Sequence, residues 1–435
     1  MNKSFMVGLA KADITPEKGQ LVAGSLYPRT FETIKDPLFV KAVVIGTDDN
    51  KTAIVTLDLI SYTNEDAAKA RKSIAEATGI LPENVVICAS HTHSGPYTQL
   101  GKTVKSYLKK EGTYEKITGL HYKYMDRVHE AIKQSVIKAN QELEPCRLGI
   151  AKGKVEGISH NRRVLKDNND CWNTWLLPQE ERDKWPAAGP IDTDLYVLAA
   201  VTENNKVKAV IYNYALHANS NRIPKSISAD YPAYVAKEVQ NSLGSNVETL
   251  FLPGACGNIN VTTSSEVIGE KIGQEIVRNI EALDFNIEPV ICARNIEIDL
   301  PFRDFSHFQE EEISRKWPGG MEFYRNRYEE LINMKQKTLK CSLTGIHIGD
   351  IAFAFNPSEF FVELGLAIKE GSPFKHTIVV ELTNGRIGYM PTKIAYEQGG
   401  YETFHGTSMF IPEAGEIIVK ETLDILNDLK NGCVK

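Results

Sequence analysis

The sequence lacks the features of three broad classes: nucleic-acid-binding, membrane and secreted proteins. Its 50 Lys and Arg residues are outnumbered by 56 Asp and Glu residues, and the net charge of −6 does not favour phosphate binding. The densest basic run, KTVKSYLKK from residue 102, is short and typical of a solvated face or loop. No segment approaches the roughly 18 apolar residues of a membrane span, and the N-terminal residues lack the apolar core of a secretory signal. We therefore expect no nucleic-acid partner and no stable membrane association.

The cysteines are few, odd in number and scattered. There are seven, with no CxxC pair among them: Cys88, Cys146, Cys171, Cys256, Cys292, Cys341 and Cys433. This pattern is typical of reduced thiols rather than of a disulfide framework. It predicts a cytoplasmic protein.

Short β-branched runs alternate with helical ones along the chain. LFVKAVVIGTD from residue 38 and KTAIVTLDLI from residue 51 predict a hairpin, whereas the wholly apolar NVVICAS from residue 84 is typical of a buried parallel strand. Helices are predicted over residues 64–77, 122–139, 230–243, 264–282 and 413–429. The length of 435 residues suits one large or two modest domains. The sequence therefore predicts an α/β fold with a mixed β-sheet core flanked by helices.

Polar residues follow four of the predicted strands directly. NVVICAS runs into His91 and His93, KAVIYNYAL into His217, ETLFLP into the turn GACGNIN from residue 254, and IAFAFNP into Glu359. In open α/β sheets, ligands bind in the crevice beyond the carboxyl ends of the strands. We therefore expect these residues to meet at one site.

Imidazoles and a carboxylate form a common zinc-binding set. His91 and His93 are separated by one residue, so both side chains of an extended segment can face one site. Each residue also has a simpler interpretation. His91 and His93 can be hydrogen-bonded turn residues, His217 can be a satisfied core histidine, and Glu359 can be an acid that complements a helix dipole.

Two loops carry further candidates. GACGNIN has neither the GK[ST] ending of a phosphate loop nor GxGxxG spacing, so close backbone approach is its expected role, with Asn258 and Asn260 offering amides. Cys256 within it is more often structural than nucleophilic. The irregular segment 166–190, which contains three tryptophans, is either a lid or a packed surface loop.

Several segments, in order, resemble the catalytic N-terminal domain of the neutral/alkaline (non-lysosomal) ceramidase superfamily. They cover nearly the whole chain: GLAKADITP, ASHTHSGP, HNRR at 160–163, LHANS around His217, GACGNIN, NPSEFF around Glu359, and NGRIGYMPTKIAYEQGGYE at 384–402. HTHSGP and the GYMPT…GGYE stretch are the more specific, and the others persuade mainly by their order. The resemblance implies the fold of that domain, with a metal site at the carboxyl ends of the strands.

The resemblance also implies one zinc ion per chain. His91, His217 and Glu359 match its zinc ligands. Tyr396 is the best positional match for a fourth, tyrosine ligand, with Tyr389 and Tyr401 nearby as alternatives.

Catalytic roles are implied in the same way. His93 matches the residue that contacts the scissile group, and Arg162 matches an arginine near the substrate carbonyl, although Arg163 leaves that register open by one. Tyr389 and Tyr401 are further catalytic candidates, and Asn260 is one because it stands where ceramidases carry a serine.

Two departures argue against ceramide as the substrate. Asn260 replaces the serine and Asn258 replaces an aspartate of the family turn. The sequence also stops after its last predicted helix, so we expect residues 1–435 to form a single catalytic domain without the immunoglobulin-like C-terminal domain of full ceramidases.

Together these observations predict a zinc-dependent hydrolase that cleaves an amide bond of a small molecule by means of a metal-bound water. Two alternatives stay open at this point. One is a zinc hydrolase of an ester, a glycoside or another polar small molecule. The other is a metal-containing binding protein or degenerate enzyme.

We expect His91→Ala to abolish both metal content and activity, because His91 is predicted to bind the metal. His93→Ala should abolish activity but keep most of the metal, because His93 is predicted to act on the substrate. Metal analysis and activity assays of the two purified variants check this. Equal metal loss in both would make His93 a ligand.

Overall fold

A computed structural model describes residues 5–25, 28–221, 223 and 225–432 of the chain. It contains an eight-stranded sheet and a four-stranded sheet. The strands of the large sheet are β1 (Phe5–Asp13), β2 (Phe39–Gly46), β3 (Lys51–Leu57), β4 (Val85–Ala89), β5 (Glu144–Lys154), β6 (Asp194–Thr202), β7 (Val207–Tyr214) and β8 (Glu248–Pro253). Those of the small sheet are β9 (Ile291–Pro301), β10 (Thr338–Ile348), β11 (Ile351–Phe355) and β12 (His376–Val380).

Ten α-helices are assigned within the described residues. They are α1 (Asn64–Thr78), α2 (Lys102–Lys110), α3 (Tyr114–Gln141), α4 (Tyr231–Leu243), α5 (Ser265–Glu281), α6 (Glu310–Lys316), α7 (Met321–Ile332), α8 (Val362–Gly371), α9 (Lys393–Gln398) and α10 (Ala414–Gly432). The predicted helices are all present, although α3 begins eight residues before its predicted start at residue 122. The basic run at 102–110 is helix α2, whose lysines are largely exposed, as expected of a solvated face.

The elements form four layers: helices, the large sheet, the small sheet, and helices again. One face of the large sheet packs on the small sheet through apolar residues such as Ile54, Leu198 and Phe353. Its other face is covered by α1 and α3 over one half and by α4 and α5 over the other. Helices α8 and α10 cover the outer face of the small sheet. The predicted α/β fold with a mixed sheet flanked by helices is thus confirmed.

One strand arrangement occurs three times. In each of the units β1–β4, β5–β8 and β9–β12, the first three strands pair antiparallel and the fourth pairs parallel to the third. The third and fourth strands are joined through a helix, which is α1, α4 or α8. The first two units join edge to edge where β1 pairs with β5 and form the large sheet. The last two strands of each unit therefore end at the same edge of the sheet. The loops that follow them can bring polar residues together there.

The cysteines differ in part from the prediction. Five are free and buried: Cys88, Cys146, Cys171, Cys256 and Cys341. Cys292 is disulfide-bonded, which corrects the expectation that the thiols are all reduced. Cys433 lies outside the described residues. Within the part of the chain that the structure describes, no helix combines the length and apolar character needed to cross a membrane.

Gly8→Ala should destabilise the fold, because helix α3 lies directly on β1 at this position. A Cβ at Gly8 would lie 1.7 Å from the Ala139 carbonyl oxygen, and backbone cannot yield as a flexible side chain can. We expect a loss of about 1–3 kcal/mol in the free energy of unfolding, measured by urea denaturation. Gly119→Ala in α3 is the control, since no atom lies within 4 Å of its added Cβ and alanine favours the helix. Equal stability of both variants would contradict this packing.

Candidate metal centre

Three predicted ligands from different units of the fold lie together. His91 follows β4, His217 follows β7, and Glu359 follows β11. His91 Nε2 lies 3.4 Å from Glu359 Oε2, and His217 Nε2 lies 3.9 Å from the same oxygen. All three side chains are buried, with at most 2% of each exposed. His91 has a φ of 62°, an uncommon conformation for a residue with a side chain, and such strain is frequent at functional sites.

In His91 and in His217, the ring nitrogen Nδ1 donates a hydrogen bond to a backbone carbonyl. His91 Nδ1 donates to the Ile60 carbonyl at 2.8 Å, and His217 Nδ1 donates to the Cys256 carbonyl at 2.8 Å. Because a carbonyl only accepts, these bonds fix Nδ1 as the protonated atom and direct Nε2 into the cluster. Metal-binding histidines are usually oriented in this way. His217 Nε2 is buried and has no hydrogen-bond partner in the structure, which fits an atom that binds a metal.

His93 joins the same cluster from the second position of the HTH segment. Its Nε2 lies 3.2 Å from His91 Nε2, and the potential ligand atoms of His91, His93 and His217 all lie within 4.8 Å of one another. Ligands about 2.0–2.2 Å from a tetrahedral zinc ion lie roughly 3.3–3.6 Å apart. The separations of these side chains therefore suit one divalent cation. His93 differs from His91 and His217 in being partly exposed.

The protonation states also suit a cation. Burial is the largest cause that lowers the pKa of His217 well below its usual value, and the charge of Arg162 lowers it further. Burial, and then His91, lower the pKa of His93 to about 3. Burial opposes ionisation of Glu359, but the charge and hydrogen bond of His91, followed by Arg386, outweigh it and hold the pKa well below the usual value. His93 and His217 are therefore neutral near neutral pH, and Glu359 is ionised.

Two charged residues near Glu359 were not predicted from the sequence. Arg386 donates through Nη2 and Nε to Glu359 Oε1, at 3.1 and 3.4 Å. Glu381 follows β12 and accepts hydrogen bonds from the backbone N–H groups of Cys256 and Phe360, at 3.1 and 2.9 Å. Glu381 thus ties the loop after β8 to the residue that follows Glu359. Its position after a strand is the same signal that identified His91 and His217.

Arg162, rather than Arg163, faces the cluster. Arg162 donates through Nη2 to the Tyr389 hydroxyl at 3.1 Å and to the Gly257 carbonyl at 2.7 Å. Arg163 points instead towards Glu402 and the backbone near residue 399. Both guanidinium groups bind Glu402, which is buried and was also not predicted. Burial opposes ionisation of Glu402, but the two arginines outweigh it and lower its pKa.

The structure corrects the predicted tyrosine ligand. The Tyr396 hydroxyl lies 2.7 Å from the Ser408 hydroxyl and donates to the Phe410 carbonyl at 3.1 Å, so its polar atom is not directed at the cluster. Tyr389, one of the two alternatives, is buried, its hydroxyl accepts from Arg162 Nη2 at 3.1 Å, and burial, together with the nearby Glu359, raises its pKa well above the usual value. The Tyr401 ring lies 5.5 Å from the Tyr389 ring, and Arg162 lies over both rings. The geometry therefore moves the tyrosine position from Tyr396 to Tyr389.

The GACGNIN turn makes the close backbone approach that its glycines predicted. A Cβ on Gly257 would lie 2.5 Å from the Glu359 carbonyl oxygen, so only glycine fits there without a shift. The Asn258 amide is used internally, because Oδ1 accepts from Val362 N at 2.9 Å and Nδ2 donates to Glu363 at 2.8 Å.

Asn260 and Cys256 differ in access to the cluster. Asn260 is partly exposed. Its Oδ1 accepts a hydrogen bond at 2.5 Å from Nδ2 of Asn219, which stands two residues after His217 in the sequence. The Cys256 thiol is buried and donates to Glu381 Oε1 at 3.0 Å. Burial, followed by the charge of Glu381, raises its pKa well above the usual value. Cys256 is therefore a structural thiol rather than a nucleophile.

The tryptophan-bearing segment 166–190 packs beside this site. The Trp175 ring contacts the rings of Trp317 and Tyr401, with centroid distances of 4.9 and 5.3 Å. Asp170 accepts from Arg315 Nη1 and Lys316 Nζ, at 2.6 and 2.9 Å, near the end of α6. These contacts favour the packed loop of the two predicted alternatives.

Comparison with known proteins gives a consistent result. A family model of the N-terminal part of neutral/alkaline non-lysosomal ceramidases matches residues 5–273. Neutral ceramidase A from Dictyostelium discoideum is 23% identical over 203 residues, covering 45% of this chain and 25% of that protein. Neutral ceramidase from Pseudomonas aeruginosa is 24% identical over 249 residues, covering 53% of this chain and 33% of that protein. The chain thus spans only a quarter to a third of the length of these relatives.

The similarity in structure extends further than the similarity in sequence. The crystal structure of neutral ceramidase from Pseudomonas aeruginosa has a TM-score of 0.73 and 20% sequence identity to this chain. The match covers 99% of this chain and 75% of that one. At this identity the match establishes the fold.

Glu402→Gln should destabilise the protein, because it leaves two buried arginines without a counter-charge. Removing one partner of a buried ion pair costs about 3–5 kcal/mol, and urea denaturation measures the loss. Ionised Glu402 contributes this stability at pH values above the unfolded-state pKa of the carboxyl. The contribution is lost as the pH falls through the lowered folded-state pKa. Glu203→Gln at an exposed turn is the control and should change stability by less than about 0.5 kcal/mol. A loss of similar size in both variants would contradict the assigned role of Glu402.

Proposed function

Because the chain belongs to the neutral/alkaline non-lysosomal ceramidase family, we propose that it is a zinc-dependent hydrolase that cleaves an amide bond of a small molecule. The convergence of His91, His217 and Glu359, with bare imidazole nitrogens facing an ionised carboxylate, carries this proposal. Asn260 in place of the family serine argues against ceramide itself.

We propose His91, His217, Glu359 and Tyr389 as the residues that hold the ion. Their donor set of two imidazoles, a carboxylate and a phenol suits zinc. When bound, zinc supplies a Lewis acid and lowers the pKa of a bound water to about 7. The burial of His91, His217 and Glu359 keeps competing water from these ligand atoms.

His93 is the proposed proton carrier. It is the most exposed of the three clustered imidazoles, so a substrate can reach it. It would donate to the developing oxyanion or exchange a proton with the leaving group. Its 3.2 Å distance from His91 Nε2 also suits a fourth ligand, so the metal content of His93→Ala distinguishes the two roles.

Arg162 and the tyrosines supply fixed positive potential and hydrogen bonds beside the scissile group. The buried Arg162 orients the Tyr389 hydroxyl, and its cation lies over the Tyr389 and Tyr401 rings. Such groups stabilise charge that develops on a substrate carbonyl, because they are oriented before the reaction begins. Asn260 offers a side-chain amide at the exposed side of the cluster.

Two broader properties are proposals as well. Residues 1–435 are proposed to act as a single catalytic domain, which is supported by the packing of both sheets in one layered core. Cytoplasmic location is supported by five free buried thiols, whereas the disulfide at Cys292 counts against it.

Purified protein should contain one zinc ion per chain by elemental analysis, and chelation should abolish amide hydrolysis until zinc is restored. His217→Ala should lose both zinc and activity, because its Nε2 is a proposed ligand atom and has no hydrogen-bond partner among the described residues. The exposed His307→Ala is the matched control and should keep both. Stoichiometric zinc without turnover of any amide or ester in a broad panel would favour a binding protein. Full activity without zinc would contradict the metal centre.

A further inference from the structure

A cavity of about 560 Å³ lies next to the metal centre. It is bounded by residues 61–69, which include the start of α1, by residues 98–105, by residues 121–129 of α3, and by Arg386. We call it the Arg386 cavity. Its volume is in the range of small-molecule binding sites.

Arg386 belongs to both the metal centre and the cavity. Its Nε and Nη2 atoms contact Glu359 Oε1, while 46% of the side chain stays exposed. A guanidinium has five N–H donors, so three remain for a ligand. The Arg386 guanidinium thus links the cavity to Glu359. A group bound to the free donors therefore shares the Arg386 side chain with the proposed metal centre.

The lining of the cavity is polar. Leu100, Tyr122 and Met125 contribute apolar or aromatic side chains, His121 and His129 contribute imidazoles, and the other described lining residues are polar or charged. The Ser61 and Thr98 hydroxyls bond to each other at 3.1 Å, close to the Ile60 carbonyl that orients His91. Long acyl chains require an extended apolar wall, because their burial is driven by apolar area. This cavity suits a short polar group instead.

The cavity carries charges of both signs, and two N–H groups of Arg386 are already directed at Glu359. Glu65 is bonded by Lys69 at 2.7 Å, and Asp66 accepts from the Thr63 hydroxyl at 2.6 Å. Asp126 lies exposed on α3. Half-buried Lys105 has no ion pair among the described residues. Arg386 and Lys105 are thus the groups best placed to bind an anion.

We propose that the Arg386 cavity binds a carboxylate of the substrate, so that the chain hydrolyses small amides that carry a carboxylate a few bonds from the scissile amide. This inference rests on the proposed hydrolase function. A planar carboxylate matches the fork of guanidinium donors better than a tetrahedral anion does. In the reaction one water is consumed, the C–N bond breaks, a C–O bond forms, and the amine leaves with a proton.

Two matched substrate pairs test the proposal with the zinc-loaded enzyme. N-acetylglycine and neutral N-acetylglycinamide place the charge on the amine side. N-methylsuccinamic acid and neutral N,N′-dimethylsuccinamide place it on the acyl side. In one of the two pairs, we expect kcat/KM to be at least roughly tenfold higher for the acid than for its neutral partner. A hydrogen bond to a charged group provides a gain of this size. The kcat/KM for N-acetyltaurine, a sulfonate, should be lower than that for N-acetyl-β-alanine, a carboxylate. N-acetylsphingosine serves as the lipid comparison.

Three variants locate the carboxylate. Arg386→Gln should bring the acid-to-neutral ratio of kcat/KM close to one, and Lys105→Gln should lower it about threefold. The ratio is measured within one sample, so partial zinc loss in Arg386→Gln cancels. Lys72→Gln is the control, because it removes the same charge from an exposed site on α1 outside the cavity lining. That variant should leave the ratio unchanged.

Several results overturn the proposal while the hydrolase function stands. They are equal hydrolysis of acid and neutral amides, a ratio that survives Arg386→Gln and Lys105→Gln, and preferred hydrolysis of N-acetylsphingosine. If no compound is turned over, the hydrolase function fails, and calorimetric binding to zinc-loaded His93→Ala still decides the carboxylate site. The carboxylate site is supported if the acid binds at least tenfold more tightly than its neutral partner and Arg386→Gln removes the difference. Equal binding of the acid and the neutral compound overturns it.

Discussion

The buried carboxylate of Glu359 is the constraint on which the rest of the site depends. An ionised group with 2% exposure costs several kcal/mol unless its neighbours compensate. Here Arg386 donates through Nη2 and Nε to Oε1, whereas Oε2 faces His91 and His217. His91 and His217 direct their bare Nε2 atoms towards the carboxylate, because their Nδ1 protons bond to carbonyls. The cluster is therefore built around a positive charge placed between these groups.

The repeated strand arrangement explains how residues far apart in sequence meet with such accuracy. In the first unit, His91 follows the fourth strand and bonds to the Ile60 carbonyl, which follows the third. In the second unit, His217 follows the third strand and bonds to the Cys256 carbonyl, which follows the fourth. Each imidazole is thus oriented by the neighbouring parallel strand of its own unit. The third unit supplies Glu359 after its third strand and Glu381 after its fourth.

The sequence predicted the parts of the site that follow strands. His91, His217 and Glu359 were identifiable because a polar residue after a buried apolar run stands out, and strand direction places it at one edge. The sequence did not distinguish among Tyr389, Tyr396 and Tyr401, because they share a segment of short elements. Spacing alone does not tell which phenol turns inward there. Arg386 and Glu402 lay within recognised motifs, but their roles depend on partners 27 and about 240 residues away.

The two differences from the ceramidase turn, Asn258 and Asn260, lie in different environments. Asn258 and Asn260 occupy two positions of one turn, yet they serve opposite purposes. Asn258 faces inward, where its amide ties the turn to the start of α8, a structural task for which a neutral side chain suffices. Asn260 faces the exposed side and contacts Asn219. A buried polar group costs stability unless it is paired, and the pairing of Glu359 with Arg386 involves neither asparagine. The buried cluster and the partly exposed residue 260 are therefore separate parts of the structure, so that residue 260 can differ without altering the contacts among His91, His217 and Glu359.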